Sequence, residues 1–187
     1  MPASAHLNQV FSRRWAVPIL AQLARTEGCK FVQLTNALDG SRASLKSSLE
    51  LLDTLGLVIP NPGHGHPMRP EYILTTRGQA ISKPAFSLVH ALEKMNVVDI
   101  GLKKWSMPTV HAIAIGSDRF KAITDTLGAA TDRAVSLALT DLNTQRLIQC
   151  TLVPGRPPRN SYSLARKSTK VAPILQDMQW AMTGSLG

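Results

Sequence analysis

The chain has 187 residues, a hydrophobic fraction of 44% and a formal net charge of +9. That length holds one large domain or two small ones, and no apolar run reaches the roughly 18 residues of a membrane span. The N-terminus MPASAHLNQVFSRRW has neither the apolar stretch nor the cleavage site of a signal peptide, so a cytoplasmic protein with no membrane partner is expected.

In chain order, RRWAVPILAQLAR spaces Trp15, Ile19, Leu20 and Leu23 as a helical stripe. Proline is tolerated only in a first helical turn, so this helix should start close to Pro18. TEGCK breaks it. FVQLTNAL is a short helix with Phe31, Leu34 and Leu38 on one side, DGS is a turn, and Ser41 can cap the next helix. RASLKSSLELLDTLG carries Leu45, Leu49, Leu52 and Leu55 at helical spacing, and Gly56 ends it. LVIPNPGHGHPMRPEYILTT reads as a strand–loop–strand ribbon. A helix from Gln79, with Pro84 kinking it or delaying its start, closes the unit.

The pattern then recurs at an offset of ninety residues. Arg13-Arg14-Trp15 falls on Lys103-Lys104-Trp105, Pro18 on Pro108, and Leu49, Leu52 and Leu57 on Leu139, Leu142 and Leu147. The ribbon residues Pro67, Arg69, Tyr72 and Leu74 fall on Pro157, Arg159, Tyr162 and Leu164. Between these blocks the offset slips to eighty-nine, placing Phe31, Thr35 and Leu38 on Phe120, Thr124 and Leu127. Length changes confined to loops are what a duplicated structure tolerates. Two domains are therefore expected, 1–95 and 96–187, joined through a shared or continuous helical segment of about 80–105 with no flexible linker.

Helix, helix, turn, helix and β-ribbon is the order of a winged helix-turn-helix. The expected fold is mainly α with small β-wings (α+β), as two tandem winged helices in a pseudo-two-fold arrangement. The helix after Ser41 suits a major groove and the ribbon an adjacent groove or backbone. The net charge agrees with a polyanionic partner, double-stranded DNA, because each neutralised phosphate releases counterions.

Residues 8–95 resemble the HxlR-type branch of the MarR-like bacterial winged-helix regulators. The resemblance rests on RRWAVPIL, KFVQLTNAL, SRASLKSSLELLDTLGLV and HPMRPEYILTTRG. Residues 100–181 match more loosely. They depart at Thr131 for the capping serine, at Arg146 for the turn glycine, which implies a different C-cap, and at Ala165 for the threonine after the wing. Family members commonly pair as homodimers through terminal helices, so the resemblance implies a fused dimer that regulates transcription from a palindrome-like site. It leaves a further homodimer of this chain possible. It names no small-molecule effector.

With the leucines inward, Arg42, Ala43, Lys46, Ser47 and Glu50 point outward on the first recognition helix, and Asp132, Arg133, Ser136, Leu137 and Thr140 on the second. The candidate DNA contacts are Ser41, Arg42, Lys46, Ser47, His66, Arg69, Arg133, Ser136, Arg156 and Arg159. Arginine forks to a guanine edge, while lysine and serine suit phosphate. No cofactor, metal site or catalytic motif is expected. His64 and His66 have no third ligand in view, and Cys29 and Cys150 have no metal or redox spacing. The rival function is a winged-helix protein-interaction module without DNA readout, which would show an exposed apolar patch on the same face.

Overall fold

A computed structural model describes residues 5–62 and 71–184. The first unit runs α1 (Ala5–Val10), α2 (Ala16–Thr26), β1 (Cys29–Lys30), α3 (Phe31–Ala37), α4 (Arg42–Thr54), β2 (Val58–Pro60), β3 (Glu71–Leu74) and α5 (Thr76–Lys94). The second runs α6 (Val98–Gly101), α7 (Ser106–Ala114), α8 (Phe120–Leu127), α9 (Asp132–Thr144), β4 (Ile148–Val153), β5 (Arg159–Leu164) and α10 (Val171–Thr183). The order of α2–α5 recurs in α7–α10, and the fold is mainly α with small antiparallel wings. No helix among the described residues is long and apolar enough to cross a membrane.

Local chemistry explains the repetition. Pro18 and Pro108 lie in the first turns of α2 and α7, where an N–H has no helical partner to lose. Ser41 Oγ accepts from Ser44 N at the start of α4, and Thr131 Oγ1 from Ala134 N at the start of α9. Both helices then end alike. Gly56 has φ 65° and Arg146 has φ 55°. Leu57 N reaches Leu52 O at 2.9 Å, and Leu147 N reaches Leu142 O at 2.9 Å. The different C-cap expected at Arg146 is therefore absent: an arginine holds the glycine's left-handed conformation.

The units differ where the wing returns. Thr75 caps α5 by accepting from Gly78 N at 3.0 Å. A Cβ on Gly78 would lie 1.9 Å from Leu57 O, so only glycine lets the helix start this close. The second unit has Ala165 and Ser168 at these positions, and the Ser168 hydroxyl donates to Leu147 O. With no cap and no glycine, residues 166–170 form turns, and α10 begins at Val171. Helix α5 starts at Thr76, earlier than the expected Gln79, and carries Pro84 inside it.

One buried core runs through both units, from Leu7, Phe11 and Leu20 to Leu88, Leu92, Leu175 and Met178. The equivalent helices α5 and α10 pack on each other. Helix α1 packs on α10, and α6 packs on α5. Each unit thus lays its opening segment on the other's closing helix, the exchange expected of a pseudo-two-fold pair. Leu7 N donates to Gln179 Oε1 at 3.3 Å, Asn8 Nδ2 to Leu127 O at 2.7 Å, and Arg14 pairs with Asp99. The continuous helix expected over about 80–105 is interrupted. Asn96 turns left-handed at φ 54° and Val97 N bonds back to Leu92 O, so α5 stops and α6 begins afresh.

Candidate nucleic-acid interface

Each unit offers a capped helix with one face in the core. Leu45, Leu49 and Leu52 of α4 are buried, as are Val135, Leu139 and Leu142 of α9. Arg42, Ala43, Lys46 and Glu50 are consequently exposed, and so are Asp132, Arg133, Ser136, Leu137 and Thr140. Two of the candidate serines are already engaged. Ser41 Oγ is the cap, and half-buried Ser47 donates its hydroxyl to Ser44 O at 3.1 Å.

The cations of the first helix have partners. The Arg42 guanidinium lies 5.8 Å from the Phe31 ring centroid, and Lys46 Nζ lies 3.8 Å from Glu50 Oε1. An exposed cation–π contact is worth about 0.5–1 kcal/mol, so Arg42 is pre-oriented by Phe31 without being locked. Arg133, Arg156 and Arg159 are exposed and make no ion pair among the described residues. His66 and Arg69, with the tip of the first wing, lie outside the described residues.

The wings are short antiparallel ladders. In the first sheet the order is β1-β3-β2, with Cys29 opposite Tyr72 and Val58 opposite Leu74. In the second, β4 pairs with β5, placing Cys150 opposite Tyr162 and Val153 opposite Arg159. There the third strand shrinks to one bond, Tyr162 N to Asp118 O at 2.7 Å. The exposed Arg156 belongs to the connection between β4 and β5.

The tyrosine shared by both ribbons has a role that periodicity does not reveal. Tyr72 and Tyr162 are half-buried against the core at the base of each wing. Burial pushes the Tyr72 hydroxyl's pKa up, and the nearby carboxylates of Asp53 and Glu50 on α4 push it further. Burial also raises that of Tyr162, with Cys150 beside it. Tyr162 and Cys150 share a groove of about 200 Å³ with Ser136, Thr140 and Asn143 of α9. Tyr162 therefore sits between wing and α9, and Tyr72 lies near the α4 carboxylates in the same way. The repeated Tyr-x-Leu was the signal for this.

Away from the exposed faces of α4 and α9, Arg77 ties the units together. Its Nη1 donates to Leu55 O at the end of α4 and its Nη2 to Met182 O in the last turn of α10, at 3.2 and 2.8 Å. A cation at two helix C-termini meets the negative end of both helix dipoles.

The chain is similar to known proteins. An uncharacterised HTH-type transcriptional regulator of Synechocystis sp. is 30% identical over 101 residues, covering 54% of this chain and 75% of that one. HTH-type transcriptional regulator YodB of Bacillus subtilis is 29% identical over 80 residues, covering 42% and 71%. The uncharacterised HTH-type transcriptional regulator YvaP of Bacillus subtilis is 34% identical over 85 residues, covering 45% and 79%. The solved structure of reduced YodB aligns at 25% identity with a TM-score of 0.39, over 56% of this chain and 92% of that chain. The HxlR-like helix-turn-helix family matches residues 10–98 and again residues 100–185. The chain belongs to the HxlR-like helix-turn-helix family and carries its domain twice.

Proposed function

We propose that this chain is a sequence-specific DNA-binding regulator of transcription, and not an enzyme, whose two fused winged helices act together as the subunits of a homodimer do. On this reading domains 1–95 and 96–187 address two half-sites about one helical turn apart on a palindrome-like site. The observation that carries it is the pair of N-capped helices α4 and α9, alike in cap, core leucines and terminal turn, each presenting an outward arginine. Arg42 and Arg133 reach base edges. Lys46 and Ser136 contact backbone, with Ser41 at the helix start, and Ser47 joins them by turning its hydroxyl from Ser44 O to a phosphate. His66 and Arg69 of the first wing, and Arg156 and Arg159 of the second, lie along adjacent phosphates or the minor groove.

Titration of preferred and random duplexes at several salt concentrations tests it. Arg42→Ala should weaken the preferred site by about 1–3 kcal/mol and barely change random DNA. Arg159→Ala should weaken both alike and lower the salt slope by about one. Equal loss on both duplexes for Arg42→Ala removes its role in base readout.

A second reading, the protein-interaction module, draws on two exposed apolar side chains of the second unit, Leu137 at 57% and Leu152 at 64% exposure. Indifference of both duplexes to both substitutions would favour it. Association of two chains through their terminal helices would give a four-winged assembly. Trp180, 62% exposed on α10, is the side chain most available for it, and sedimentation of wild type against Trp180→Ser measures it.

A further inference from the structure

We infer that the two recognition helices read unlike half-sites, so that the chain lies on its DNA in one fixed orientation. This rests on the DNA-binding reading above and specifies what that site must look like. Helices α4 and α9 share cap, core frame and terminal turn, so matched outward positions meet matched places in a groove. Yet none of those positions holds the same residue: the pairs are Arg42/Asp132, Ala43/Arg133, Lys46/Ser136, Ser47/Leu137 and Glu50/Thr140.

The chemistry of each pair differs in kind. Arg42 donates a fork that fits guanine O6 and N7. At the matched place Asp132 only accepts, so it rejects those acceptors and suits a cytosine amino group. In the second unit the fork moves to Arg133, one residue on and about 100° round the helix. The sharpest contrast is Ser47 against Leu137. Ser47 is half-buried, with its hydroxyl bonded to Ser44 O at 3.1 Å. Leu137 is 57% exposed. It lines an open groove with Trp105, Ala134 and Ala138. Lys103, Lys104 and Asp141 line the same groove, with Lys103 Nζ paired to Asp141 Oδ2 at 2.7 Å and Lys104 Nζ 4.7 Å from the Trp105 ring centroid, so both lysines already have partners beside the leucine. An exposed leucine on a recognition helix offers one direct match among base edges, the C5-methyl of thymine.

Orientation is fixed by the fusion. The α5–α10 seam, the exchanged α1 and α6 segments and the Arg77–Met182 bond hold one unit of each kind in every molecule. Two identical half-sites would leave one helix mismatched.

The test begins with selection of bound duplexes from a random pool by the intact protein at stated salt. Affinity is then measured for the enriched duplex and for two symmetrised versions, each repeating one half-site. The enriched duplex should bind about tenfold or more tighter than either version, since a wrong base pair costs about 1–3 kcal/mol. Replacing the thymines of the second half-site by uracil, which lacks the methyl, should weaken wild type about fivefold. The same replacement should leave Leu137→Ser unchanged. That substitution is on the surface, and circular dichroism checks that it folds. A symmetrised duplex binding as tightly as the enriched one overturns the inference and leaves the regulator reading standing. Equal sensitivity of wild type and Leu137→Ser to uracil overturns the role of Leu137. Enrichment of no sequence at all overturns the DNA-binding reading itself, and the inference with it.

Discussion

At the scale of single residues, the second unit carries side chains that its fold tolerates rather than prefers. Arg146 occupies a left-handed position at φ 55° where the first unit has Gly56. A residue with a Cβ is destabilised there by about 1–2 kcal/mol. Arg146 is exposed and its side chain makes no ion pair among the described residues, so Arg146→Gly should stabilise the protein by about 1 kcal/mol in urea unfolding. His111 is buried on α7, where the first unit has Ala21. Burial pushes its pKa below the ordinary imidazole value, opposed by the contact with Gln176. The unfolded chain takes up this proton near pH 6.5, the folded chain only at lower pH. Between the two the unfolded state holds more protons. The contribution of His111 is therefore full above about pH 6.5 and lost as pH falls through the folded value. His111→Ala should flatten the fall in melting temperature on acidification, whatever it does to stability at neutral pH.

Elements show where sequence reading succeeds and where it stops. The N-caps of α4 and α9 and the glycine turn that ends α4 were legible because the interactions that make them lie within a few residues; the matching turn of α9 was not, because Arg146 holds a conformation that its residue type does not advertise. The outward faces were legible because leucines at helical spacing leave only one side for water. Strand β1 was not, since two residues have no period and Cys29–Lys30 is extended only because Tyr72 and Glu71 pair with it. The small helix α1 was missed for the same reason, since it packs on the other unit's closing helix, and α6 was expected only as part of one continuous helix, without the break at Asn96. The seating of Arg42 over Phe31 and of each tyrosine behind its wing depends on contacts between elements, which spacing along one element does not encode. Arg77 belongs to this scale too. It bonds the ends of α4 and α10, and hydrogen bonds to a charged group contribute about 1.5–3 kcal/mol. Arg77→Met should lower stability by about that amount in urea unfolding, whereas Lys167→Met, at the matched exposed position, should not.

For the whole molecule, the ninety-residue offset revealed two units but not how they interlock. Sequence pointed to a rigid helical joint; the structure has a broken one and gains its rigidity from the shared core. A core that crosses the boundary predicts a single cooperative unfolding transition. Calorimetric and van't Hoff enthalpies should agree for the entire chain. Leu139, buried in the second unit, tests the point. Leu139→Ala removes about 2–5 kcal/mol of packing, and it should shift one transition downward instead of splitting off a second. Two separate transitions would mean that the units unfold independently.

The exchange of α1 and α6 between units has a consequence for genetics. Separate subunits meet by collision, come apart on dilution and mix with variant copies of themselves. Units on one chain, each roofed by the other's opening segment, do none of these. On the proposed fused-dimer reading, a cell holding a single molecule holds a complete pair. On that reading, an allele that disables one helix does not poison the product of an intact allele by exchange of units, because both units belong to one chain.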